Sequence, residues 1–229
     1  MAAMQLEARD FAARFREMHS VRLRPNLPPL ELEQAPATLD DGAADPLGTG
    51  STVWRGGDAL ARALAADDAL RGAIEGKRVV ELGSGTGVAG LACAALGARA
   101  VALTDLPERV ALLRRNATRN RGHTVGCDVA ARPLAWGDRF GALALAADGV
   151  DVVVAADVCY RADAVAPLAA SIACLMERAA LGIVACERHE PVAYAALKAT
   201  LAATLDVATH ASSDDGRVEI LLLRRRAAT

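Results

Sequence analysis

From residue 58 onward the chain alternates between two hydrophobic periods, and that alternation restricts its fold more than any other feature of the sequence. Helical spacing over Asp58–Leu70 gives way to the short apolar run Arg78–Leu82 (RVVEL). Helix is expected again over Val88–Leu96 and strand over Ala98–Leu103. A helix opened by Pro107 covers Glu108–Arg119, since proline suits a first helical turn. A weak strand over Thr124–Val129 and a strong one over Val150–Ala155 follow. Helix Ala164–Arg178, strand Gly182–Cys186 and helix Pro191–Leu205 continue the series. Two last strands, Val207–His210 and Arg217–Leu223, are separated by SSDDG, whose Asp215-Gly216 pair signals a hairpin. Strands that alternate with helices form a parallel sheet. A strand reached through a tight turn must run the other way. The expectation is therefore an α/β fold with a mostly parallel sheet of seven strands, one of them reversed.

Directly after RVVEL comes a glycine-rich junction, ELGSGTGVAG over residues 81–90. Glycines there let the backbone turn sharply and approach a ligand, while the next helix presents its N-terminus. Gly85, Gly87 and Gly90 satisfy the dinucleotide pattern, so the glycines alone do not choose between a nicotinamide cofactor and S-adenosylmethionine. Glu81 helps to choose. A carboxylate at the carboxyl end of the strand suits a ligand that carries an ammonium and repels a pyrophosphate.

Other candidates follow at the same edge, where ligands bind in open α/β sheets. Asp105 ends the second strand and can accept both ribose hydroxyls, or serve as a helix cap before Leu106-Pro107. Trp136, in the loop RPLAWGD, can pack on an adenine face, although a Trp-Gly-Asp turn is more often structural. Asp157 and Tyr160 follow the strand VDVVVAAD and flank the expected reaction centre, with a structural Tyr–Asp pair as the plainer alternative. Glu187 and Arg188 end the fifth strand and face either a substrate or each other's neighbours in salt bridges. Trp54 lies before the first helix, where it lids a cofactor or anchors the N-terminal extension.

The bulk properties narrow the function classes. The chain has 229 residues, enough for one α/β domain (51–229) with a short N-terminal extension (1–50). In that extension a helix is expected over residues 5–18, a β-ribbon from Val21–Arg24 and Leu30–Glu33, and a loop over 34–51. A net charge of -2 argues against broad nucleic-acid binding. The arginines 114, 115 and 121 read as a solvated helix face. No apolar run reaches the ~20 residues of a membrane span. Five cysteines without a CxxC pair read as reduced thiols in a cytoplasmic protein, with no metal expected. Nothing in the pattern calls for more than a monomer.

Four blocks stand in a familiar order: GSTVW (50–54), VVELGSGTG (79–87), LTDLPERVALLRRN (103–116), and LAWGD with DVVVAADVCY (134–138 and 151–160). Together they resemble the protein-lysine methyltransferase group of the seven-β-strand S-adenosylmethionine-dependent methyltransferases, methyltransferase family 16. The resemblance covers roughly residues 50–190. It implies a Rossmann-like sheet of order 3-2-1-4-5-7-6 with the last strand antiparallel. It implies S-adenosyl-L-methionine as cofactor, held by Trp54, Gly83, Ser84, Gly85, Asp105, Trp136 and Ala156, and Glu81 and Leu106 join them as cofactor-binding candidates at the same edge. It places Asp157 and Tyr160 at the acceptor entry as catalytic residues, and a lysine of a protein substrate as the acceptor. Arg55 departs from the family pattern, which has an acid after the Trp of the first block. The rival readings are a small-molecule methyltransferase on the same fold and, in a different class, an NAD(P)-binding oxidoreductase. A closed acceptor pocket would need an insertion that the sequence lacks, and Glu81 argues against the pyrophosphate.

Overall fold

The computed structural model describes residues 17–34, 50–213 and 215–227. The expected N-terminal helix and most of the 34–51 loop lie outside them.

Two antiparallel strands, β1 (Met18–Val21) and β2 (Leu30–Glu33), form the N-terminal ribbon. The first strand sits three residues earlier than its sequence pattern suggests. Seven strands form the main sheet: β3 (Arg78–Leu82), β4 (Ala100–Asp105), β5 (Asp128–Pro133), β6 (Val152–Ala156), β7 (Leu181–Glu187), β8 (Leu205–Ser212) and β9 (Val218–Arg225). Their order is β5-β4-β3-β6-β7-β9-β8. Numbered within the sheet this is 3-2-1-4-5-7-6, and β9 runs antiparallel to both its neighbours. Around it lie α1 (Arg55–Ala66), α2 (Asp68–Ile74), α3 (Val88–Ala95), α4 (Val110–Arg119), α5 (Arg139–Ala147), α6 (Val165–Met176) and α7 (Pro191–Ala202).

The central parallel strands β3, β6 and β7 are buried on both faces, and their side chains sort by the two-residue period of a strand. Val79, Val152, Val154 and Ile183 join one core with Leu60 and Leu91 of α1 and α3. Val80, Val153, Ala155 and Val184 join the other with Leu145, Leu168 and Leu197 of α5, α6 and α7. Each fully buried leucine contributes about 1.5–3 kcal/mol. The ribbon shares the first core through Val21, Leu30 and Leu32.

Three local differences from the sequence expectation have physical causes. The helix expected over 58–70 is two helices. Asp67 takes an extended conformation and its side chain accepts from the amides of Ala69 and Leu70, which caps a new helix. The third strand begins four residues later than its hydrophobic pattern suggests, because pairing with β4 sets the register, from Ala100↔Asp128 to Asp105↔Pro133. Val125, which drew the expectation forward, is exposed. The alanine-rich α5 carries a weak amphipathic signal and is absent from the sequence expectation. Asp138 caps it by accepting from Gly141 N at 3.0 Å.

Candidate active site

The strand order reverses direction between β3 and β6, and the chain opens a cavity at their carboxyl ends. Such a switch point is where open α/β sheets bind ligands. All eleven site residues proposed from the sequence line this one cavity: Trp54, Glu81, Gly83, Ser84, Gly85, Asp105, Leu106, Trp136, Ala156, Asp157 and Tyr160. Thr52, Thr86 and Arg109 line it too, and the sequence reading had not singled them out.

The glycine loop forms the cavity floor. Gly83 has φ +65°, and a Cβ there would press on the Trp136 ring at 2.7 Å, so the turn requires glycine. Ser84 fastens the loop to β4: its hydroxyl accepts from Thr104 N at 2.9 Å, and its amide donates to Thr104 O at 2.9 Å. Asp105 braces the next turn, accepting from Gly85 N at 2.7 Å and Leu106 N at 2.8 Å. Burial pushes the Asp105 carboxyl pKa up, and those amides hold it partly down. Leu106 and Trp136, both incompletely buried, supply apolar surface at the rim.

Glu81 is the electrostatic anomaly. It is 2% exposed, yet its Oε2 finds no hydrogen bond of ordinary geometry. Burial pushes its pKa up to about 8, while Ser84 and the Gly90 amide pull the other way. Thr52 and Thr86 in the same cavity also hold buried hydroxyls without a partner. Buried polar groups are nearly always satisfied, so three unsatisfied groups around one cavity mark a polar ligand site.

Asp157 is differently placed. It adopts φ 53°, a left-handed conformation uncommon outside glycine. Its Oδ2 accepts from Gly56 N at 2.5 Å and Gly57 N at 3.3 Å, and its Oδ1 from Glu187 N at 2.9 Å. Helix α1 begins after Trp54, which offers no capping oxygen. Asp157 therefore satisfies first-turn amides that would otherwise lack a partner. A Cβ at Gly56 would collide with that carboxylate. The bonds of Asp157 thus run to backbone amides and not to Tyr160, whose ring instead lies 6.1 Å from that of Trp136.

The outer wall is built by three elements. Arg55 pairs with Glu187 at 3.3 Å and with Asp215 at 3.0 Å, joining α1, the end of β7 and the β8–β9 turn. Trp54 stacks on His189 with centroids 6.5 Å apart. Arg109, almost fully buried, donates to the Ser51 hydroxyl and pins the segment before Trp54. The sequence signal for Arg109 was its place one turn after Asp105, on the helix that leaves the cavity. Outside the site, Arg115 of the arginine cluster pairs with Glu33 of the ribbon at 3.0 Å.

A seven-stranded sheet of this order, with a glycine loop and an unsatisfied carboxylate at its switch point, defines the Rossmann-like methyltransferase class of fold. The magnesium protoporphyrin IX methyltransferase of Synechocystis PCC 6803, solved with its methyl donor, superposes with a TM-score of 0.51 at 21% identity, over 74% of this chain and 78% of that one. The sequence profile described as lysine methyltransferase matches residues 36–196. The chain belongs to the lysine methyltransferase family. Relatives include Protein-lysine N-methyltransferase EFM6 of Saccharomyces cerevisiae, 34% identical over 51% of this chain and 54% of its own length. EEF1A lysine methyltransferase 3 of Xenopus tropicalis is 35% identical over 39% of this chain and 37% of its own length. The chain thus covers about half or less of these relatives.

Proposed function

We propose that this protein is an S-adenosylmethionine-dependent methyltransferase that acts on a lysine side chain of a protein. The observation that carries the reading is Glu81, a buried carboxylate with an unspent oxygen in a glycine-floored cavity. A ligand ammonium there would complete its hydrogen bonding and favour its ionised form. The amino group of the methionine part of the cofactor supplies one, whereas a pyrophosphate would add a negative charge beside it. Asp105 has lone pairs left for ribose hydroxyls, Leu106 and Trp136 offer surface for the adenine, and Ala156 forms part of the wall. Family membership and the names of the relatives support the lysine acceptor.

The bound cofactor would supply a methyl group on a cationic sulfonium. The chain's part is alignment, which can be worth ~7–11 kcal/mol in such reactions. Tyr160 and Trp54 border the side of the cavity from which an acceptor enters. Asp157 sets that border through the amides of Gly56, Gly57 and Glu187, and its negative field favours an approaching ammonium. A lysine of ordinary pKa ≈ 10.4 must lose a proton before it attacks, and solvent at the open side can take it. Among the described residues no helix is long and apolar enough to cross a membrane. Five free thiols fit a reducing compartment such as the cytoplasm.

Calorimetry tests the cofactor: S-adenosylhomocysteine should bind and NADH should not. Incubation with tritiated methyl donor and a host-cell lysate, followed by mapping of the label, tests the acceptor. Binding of NADH alone, or label found only on small molecules, would overturn the reading.

A further inference from the structure

A second cavity adjoins the first on its acceptor side. It is a groove of 630 Å³, lined by Glu187, Arg188, His189, Tyr194, Gly216 and Arg217 among others. The two cavities share a wall: the Glu187 amide that binds Asp157, and the Trp54–His189 stack.

The groove presents mainly hydrogen-bond donors. Arg188 donates one N–H to the carbonyl of Gly216, and a guanidinium has four more. Arg217 stands with its Nε 3.7 Å from Asp215. Among the described lining residues the acid is Glu187, and it is drawn toward Arg55 at 3.3 Å, with His189 at 3.9 Å. Asp215 likewise faces Arg55 and Arg217. Tyr194 contributes an independent sign of a ligand. It is more than nine-tenths buried, and its hydroxyl has no hydrogen-bond partner. A buried hydroxyl left unpaired is costly, and a ligand oxygen in the groove would satisfy it.

We infer that this groove binds a carboxylate side chain, an Asp or Glu lying within a few residues of the methylated lysine in the protein substrate. The carboxylate accepts from Arg188, Arg217 and the Tyr194 hydroxyl, while the lysine reaches past the Trp54–His189 stack into the first cavity. Two planar guanidinium groups suit a carboxylate geometrically. This inference rests on the protein-methyltransferase reading for the identity of the donor of the carboxylate, and on the groove alone for its chemistry.

The test uses the full chain with saturating S-adenosylhomocysteine and two fluorescein-labelled peptides. One carries a single lysine flanked by glutamates, the other the same lysine flanked by glutamines. The glutamate peptide should bind roughly tenfold more tightly at low salt, and Arg188→Ala should erase most of that difference. Tyr194→Phe should also weaken the glutamate peptide while leaving the melting temperature unchanged or higher, because the phenol makes no internal bond. A purely structural Tyr194 would show the opposite pattern. Equal binding of the two peptides, or a preference that survives Arg188→Glu, would overturn the inference. If the glutamate preference holds but neither peptide, nor any lysate protein, accepts a methyl group, the groove's chemistry stands and the methyltransferase reading fails.

Discussion

Glu81 and Asp157 stand at the carboxyl ends of neighbouring strands, yet their surroundings are opposite. Glu81 is almost fully buried, and its Oε2, which lies against Gly90, makes no hydrogen bond of ordinary geometry. Asp157 has both oxygens engaged by three backbone amides from α1 and the end of β7. The sequence gives no hint of this difference, since each is an acid at the end of an apolar run. The contrast teaches that shielding from water does not by itself identify a ligand group. The informative quantity is hydrogen-bonding capacity left unspent. By that measure Glu81 has the place for a cation in the proposed function, and Asp157 holds a wall of the same cavity.

The comparison is most easily broken at Asp157, where the largest effect is expected. Asp157→Ala strands the amides of Gly56, Gly57 and Glu187, and bonds to a charged acceptor contribute about 1.5–3 kcal/mol each. The loss should be on the order of 3 kcal/mol in stability, with turnover down at least ~100-fold as the wall shifts. Asp157→Asn should be nearly as damaging, because its NH2 would face a donor. Thermal melting and labelled-methyl transfer on the same proteins check this. A normal melting temperature with lost turnover would mean that Asp157 meets the acceptor directly and holds nothing.

Glu81→Gln should weaken S-adenosylhomocysteine binding by roughly tenfold or more, through loss of a charged contact. It should also stabilise the free protein at high pH. With its pKa raised from the ordinary 4.5 to about 8, Glu81 binds more protons folded than unfolded across that window. Stability of the free wild type therefore falls as pH rises from about 4.5 to about 8, by an upper bound of roughly 5 kcal/mol. The glutamine variant lacks this loss. Ligand binding to wild type should release close to one proton near pH 7, so affinity should rise toward pH 8. Calorimetry in buffers of different ionisation enthalpy measures that release, and its absence would remove the ammonium from Glu81.

How much of this was readable from the chain depends on whether a signal is local. The glycine loop, Asp105 and the Asp157–Tyr160 element were found because each directly follows an apolar strand, and strand ends are where such folds put ligands. The order of the sheet came through the resemblance, since periodicity alone leaves strand neighbours open. Arg109 was missed because its bond to Ser51 spans 58 residues. A backbone-bracing role for Asp157 is readable from its place at a strand end, but which amides it binds is hidden for the same reason, its partners lying 101, 100 and 30 residues away. The edge strand β5 was misplaced because register with β4, and not its own hydrophobicity, decides where it begins.

Asp105 falls between the two extremes, and so does its expected effect. Two amides already use part of its carboxylate, and the rest faces the cavity. Asp105→Ala should weaken S-adenosylhomocysteine about tenfold and lower the melting temperature by a few degrees as the Gly85 turn loosens. If affinity is unchanged in the folded variant, Asp105 only braces the loop and belongs with Asp157.

The smallest effect is expected at Arg55, on the outer wall of the cavity. Its guanidinium bridges Glu187 and Asp215, the two carboxylates nearest the outer wall. Partly exposed pairs of this kind are typically worth under about 1 kcal/mol, because water screens them and ordering two side chains costs entropy. Arg55→Ala should therefore lower the melting temperature by only about 2–4 °C and leave cofactor affinity unchanged. Arg55→Glu should cost more, since it sets a third carboxylate against the other two. Adding Glu187→Arg to it should recover most of the loss if the 55–187 pair is the relevant contact, which a double-mutant cycle reads directly. The wall then has two layers: amide bonds to Asp157 that fix its shape, and ion pairs outside them that contribute little. A collapse of stability in Arg55→Ala would erase that distinction and move the mechanical centre of the wall from Asp157 to Arg55.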